Sequence, residues 1–219
     1  MDDHSFRFGD HGRYTAEMQP MLDALIADAV AKGETEFDYG SCRNAQRLLI
    51  EFNRNCSSMA VTYDKDAIGD AIWYLYGCVS GMIHDVLDPS VSSGFGEFYL
   101  SMRSLYDDIF ASLLPSEPGR GGGSASLTTA CYMLWDMDGI EYLTFNRSAS
   151  NIELVEPHVD FGLRHEHAAV QESFLHLLGH QRDDHSAFVD PKLAIFLNRS
   201  DISGNMREYA LQCQTGMIL

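Results

Sequence analysis

The sequence predicts a mainly α-helical fold, with antiparallel helices packed in pairs as a helical bundle and at most one short β-hairpin near 138–156. Three observations carry that expectation. Apolar residues repeat with a period of 3.6 over 66–87, and again over 95–114. Capping and stopping residues bound those runs: Asp64 or Asp66 before the first, Asp88-Pro89 after it, and Pro115 after the second. The composition, 45% hydrophobic and 21% charged over 219 residues, is that of a globular chain long enough to build a core without a staple.

Taken in order, residues 1–13 read as a loose polar arm. Met18, Met21, Leu22, Leu25, Ile26, Ala29 and Val30 make a helical stripe that stops at Gly33, with Pro20 in its first turn. A second stripe runs from Arg43 to Asn53 through Ala45, Leu48, Leu49 and Phe52. The run 66–87, through Ile68, Ala71, Ile72, Leu75, Val79, Met82, Ile83 and Val86, is expected to be one central helix. Gly69, Trp73, Gly77 and His84 give it a second packing face. The run 95–114 is amphipathic and rich in aromatic core residues.

Residues 115–123 are a Pro/Gly-rich connector. They divide the single domain 1–219 into an N-terminal helical lobe, 14–114, and a C-terminal one, 124–219. A phosphate-cradling loop would need a preceding strand, and the P-loop form a Lys before its Ser; both are missing. Ser124 or Ser126 caps the next helix, through Leu127, Ala130, Cys131, Leu134 and Trp135. Residues 141–145 and 151–155 read as two short strands. Asp190-Pro191 reads as a cap and first helical residue, and a last helix spans about 205–214.

Charge and cysteine usage narrow the function. Fifteen Lys and Arg against 32 Asp and Glu give a net charge of −17, which disfavours nucleic acid and anionic membranes and suits a basic protein partner. No stretch approaches the roughly 18 apolar residues that span a bilayer. The five cysteines include no C-x-x-C pair and read as reduced thiols in a cytoplasmic protein, Cys78 and Cys131 as small core residues. The acidic start Met1-Asp2-Asp3-His4 has no apolar run behind it, so no signal peptide is expected.

The densest chemical signal is 172–180. Val170, Phe174, Leu177 and Leu178 share one helix face, and Glu172, His176 and His180 line up roughly 150° away. Two histidines at i, i+4 can ligate a divalent metal such as zinc, with Glu172 as a third ligand and His165 as a further contributor. The zinc-protease pattern fails, because its general-base Glu would stand at Leu177. No G-x-S-x-G elbow is present. Asp136-Met137-Asp138-Gly139 lacks the later positions of a calcium loop and reads as a helix end with a Gly turn. The favoured reading makes His176 and His180 structural, with no metal or other cofactor.

Ala130-Cys131-Tyr132-Met133-Leu134-Trp135-Asp136, then Gln171-Glu172-Ser173 with Leu175-His176 and Leu178-Gly179-His180, then Tyr209-Ala210 and Thr215-Gly216, resembles the tail of uncharacterised bacterial proteins that are all-helical and HEAT-like. The likeness covers roughly 124–219 and departs at Leu177 and Gln181, where a Gly and an aromatic are expected. It implies a helix-pair framework around His176 and His180, and no activity. The expected function is a cytoplasmic protein-interaction module without catalysis. The alternatives are a metal-dependent enzyme built on Glu172, His176 and His180, and an acidic immunity-type protein that neutralises a basic partner.

Overall fold

A computed structural model describes residues 18–34, 37–115, 126–146, 149–216 and 218. The expected N-terminal arm, the connector beyond Pro115 and the candidate cap Ser124 lie outside these residues.

The helices are α1 (Gln19–Val30), α2 (Cys42–Asn55), α3 (Met59–Thr62), α4 (Lys65–Tyr76), α5 (Met82–Val86), α6 (Phe95–Ser104), α7 (Ala111–Leu113), α8 (Ser126–Met133), α9 (Ile140–Phe145), α10 (Ala149–Arg164), α11 (Ala168–Gln181), α12 (Ser186–Leu197) and α13 (Gly204–Cys213). The described residues form no strand. Local chemistry sets several starts. The Asp64 side chain accepts the Ala67 N–H at 2.8 Å, Ser41 accepts from Asn44 at 3.3 Å, and Ser203 accepts from Met206 at 3.2 Å. A π-helical turn, Leu105–Phe110, joins α6 to α7 without a break.

The structure differs from the sequence reading in four places. The run 66–87 is not one helix: α4 ends at Gly77, whose N–H bonds the Trp73 carbonyl at 2.9 Å, and Gly81 turns into α5 with φ of 64°. A side chain at Gly77 would stand 2.5 Å from that carbonyl oxygen, so the residue that ends the helix is also the one that fits there. Cys78 and Val79 are therefore exposed rather than in the core. Residues 141–145 and 151–155 are helical, not strands: Ile140, Leu143 and Thr144 are buried at i, i+3, i+4, and that spacing outweighs the β-branched and aromatic content. Pro191 sits inside α12, which begins at Ser186. Ser126 opens α8 but its side chain does not cap it; the hydroxyl donates to Asp70 at 2.6 Å and the N–H bonds Asp66 at 3.3 Å, pinning α8 to α4.

That pin is tight. Gly69 lies against the Leu127 backbone so closely that a side chain there would overlap the chain of α8. α6 packs on α10 in turn, and Tyr99 meets Thr144 across the two halves at 2.9 Å. The apolar residues of both halves belong to one core.

The central helix is α11 rather than 66–87. Every residue from Ala169 to Gly179 is buried, and α8, α9, α10, α12 and α13 pack around it. A polar stripe on a helix enclosed in this way must find its partners inside the protein.

Candidate metal centre on the buried helix

The partners of that stripe come from the turn after α8. Asp136 donates its N–H to the Met133 carbonyl at 2.9 Å, and Gly139, with φ of 69°, redirects the chain into α9. This turn holds the Asp136 carboxylate against α11. His176 Nε2 is 2.8 Å from Asp136 Oδ2, His180 Nε2 is 3.3 Å from the same oxygen, and the two Nε2 atoms are 3.2 Å apart. The side chain of His176 is 1% exposed, Asp136 16% and His180 35%, so the cluster runs from the core to the surface along one turn of helix.

The four residues nominated from sequence are divided. His176 and His180 meet, as their spacing requires. Glu172 is buried one turn earlier, and its charge acts on Tyr132, Tyr209 and Cys131. His165 bonds Asp107 at 2.9 Å beside the π turn and accepts the His167 N–H at 2.9 Å. The third member is Asp136, forty positions from His176, which the sequence reading placed in a helix end.

The outer side of His176 is equally well defined. Its Nδ1 is 2.9 Å from Tyr209 Oη on α13, and that hydroxyl is 2.9 Å from Tyr132 Oη on α8. The Tyr132 ring packs on the His176 ring with centroids 4.1 Å apart. Burial is the main cause that raises the pKa of both phenols; for Tyr209 the bond to Tyr132 adds to it, and for Tyr132 the bond to Tyr209 offsets part of it. Both are therefore hydroxyls, able to donate or to accept.

Beside Asp136 and His180, burial and then the negative charge of Asp136 push the Glu141 carboxyl above the usual carboxylate range, against lowering by His180 and a bond to Gln181. Asp136 Oδ1 and Glu141 Oε2 are buried with no hydrogen-bond partner among the described residues. The Asp136 carboxylate beside two imidazoles makes a site that a cation would relieve.

The donor set fits one. Asp136, His176 and His180 each offer a ligand atom, all within 4.8 Å of one another. Their separations of 2.8, 3.2 and 3.3 Å are nearly equal. Asp136, His176 and His180 would hold a divalent ion through one atom each, a carboxylate oxygen and two imidazole nitrogens. Neither tyrosine nor Asp136 carries a local spacing signal that points to the histidines. Compared with family models, curated proteins and solved structures, the chain finds no match in any of the three.

Proposed function

We propose that this protein is a metal-dependent enzyme whose divalent ion is held by Asp136, His176 and His180. The observation that carries the reading is the convergence of one carboxylate oxygen and two imidazole nitrogens within 4.8 Å. Three protein ligands are the pattern of catalytic centres, and four that of structural ones. Two nitrogens and one oxygen suit zinc, iron and their neighbours. An ion of that kind lowers the pKa of a bound water or polarises a substrate oxygen. Asp136 Oδ1, which has no hydrogen-bond partner among the described residues, would remain as an acceptor beside such an ion.

Elemental analysis and Co²⁺ titration of protein purified without a His tag test the reading. The expected result is one equivalent per chain, lost in Asp136→Ala, His176→Ala and His180→Ala and retained in His165→Ala. Wild-type protein that takes up no Zn²⁺ or Co²⁺ overturns it.

A second reading is a non-enzymatic interaction module, including the immunity-type case, and the net charge of −17 favours it. Its partner is basic, and binding weakens as salt screens the long-range attraction beyond roughly 8–10 Å. An affinity for a basic protein that is unchanged between low and high salt counts against it. Both readings place the protein in the cytoplasm, which its five cysteines, none of them in a disulfide, support.

A further inference from the structure

We infer that Tyr209 is a positioning residue for the metal centre: its hydroxyl lets His176 change tautomer between the metal-free and metal-bound states without losing a hydrogen bond. This rests on the metal reading above.

Two hydrogen-bond directions fit the same heavy-atom positions. In the first, Tyr132 donates to Tyr209, Tyr209 donates to His176 Nδ1, and His176 Nε2–H donates to Asp136, across 2.9, 2.9 and 2.8 Å. That arrangement satisfies the ring when Nε2 holds a proton. An ion on Nε2 requires that nitrogen to be bare, so the ring proton must sit on Nδ1. Tyr209 then turns from donor to acceptor, and its own proton points to Tyr132. The ion displaces the Nε2 proton to Asp136 and on to solvent, and solvent returns one to Nδ1, so the number of protons on the ring is unchanged. A carboxylate at this place would serve only the second state, and a backbone carbonyl likewise. A phenol serves both, because it donates and accepts through one atom. The Tyr132 hydroxyl allows the reversal to continue one step outward. Tyr209 comes from α13 and Tyr132 from α8, so the orientation of the buried ligand is set by two helices that pack on α11.

The experiment is Co²⁺ and Zn²⁺ titration of wild type, Tyr209→Phe and Tyr132→Phe, with ¹⁵N NMR of the histidine ring nitrogens of the wild type. Loss of an outer hydrogen bond to a ligating histidine weakens metal affinity by roughly 10–100-fold. Tyr209→Phe is expected to show that loss and a changed Co²⁺ absorption spectrum, with the metal-free protein still folded by circular dichroism. Tyr132→Phe is expected to lose less, because Tyr209 still accepts from Nδ1–H. The His176 ring proton should move from Nε2 to Nδ1 as Zn²⁺ is added. A merely structural tyrosine would lower the melting temperature and leave the Co²⁺ affinity and spectrum unchanged, which overturns the inference. So does a His176 proton that stays on one nitrogen, a measurement that needs no variant. Wild-type protein without metal affinity overturns the metal reading and this inference together; a wild type that binds and a Tyr209→Phe that binds equally well overturn only the latter.

Discussion

His158 and His176 are equally buried, each 1% exposed, and the protein treats them in opposite ways. His158 lies in a box of Tyr106, Trp135, Phe161 and Phe174, with the Phe174 ring 5.0 Å away, and neither ring nitrogen has a hydrogen-bond partner among the described residues. His176, two residues beyond Phe174, has both nitrogens engaged. Burial alone therefore says little about what a histidine is for. The first is used as a flat apolar ring that tolerates its polar atoms. The second is wired on both sides, to a carboxylate and a hydroxyl, with another imidazole nitrogen 3.2 Å away.

The contrast is sharpest in acid. Burial, and then the charge of Arg103, lowers the His158 pKa to about 3 from an ordinary 6.5. The unfolded chain therefore takes up this proton first as pH falls. The stabilisation is full above 6.5 and declines through the window from 6.5 towards 3, by on the order of 4–5 kcal/mol at the acid limit. Urea unfolding at several pH values should show this slope in the wild type, and His158→Phe should remove most of it. An unchanged slope in the variant would place the acid sensitivity elsewhere.

A smaller effect separates the wired histidine from the boxed one at neutral pH. His176→Ala leaves the Tyr209 hydroxyl and Asp136 with one partner fewer in a buried setting, at a cost of about 1–3 kcal/mol. His180→Ala, at the more open end of the same cluster, should cost less than about 1 kcal/mol. Thermal melts of metal-free protein check the ranking. Equal losses at 176 and 180 would mean that the hydrogen bonds of His176 contribute little beyond packing.

Much of the fold was legible in the sequence because apolar spacing reports one-sided burial directly. It located α1, α2, α6 and α13 closely, and Asp64 marked the start of α4. It failed where burial is not one-sided or where a single backbone position decides. Gly77 and Gly81 end one helix and begin another inside an apolar repeat that runs straight through them. The aromatic and β-branched residues of 141–145 suit a strand by type and a helix by burial. A helical wheel shows α11 as two-faced, but whether a polar face meets water or a buried carboxylate is a tertiary matter. The site was half legible for the same reason. His176 and His180 announce themselves at i, i+4, whereas Asp136, Tyr132 and Tyr209 reach the cluster through packing of α8 and α13 on α11.

On the proposed metal reading, the separation of Asp136 from His176 by forty positions also sets an order of assembly. An unfolded chain holds the neighbouring histidine pair close together, whereas bringing Asp136 to it also costs the closure of a long loop. The chain must fold first and load second. On that reading the metal-free state is a finished structure, kept in register by the tyrosine and histidine hydrogen bonds, that would accumulate whatever the metal supply and fill when an ion became available.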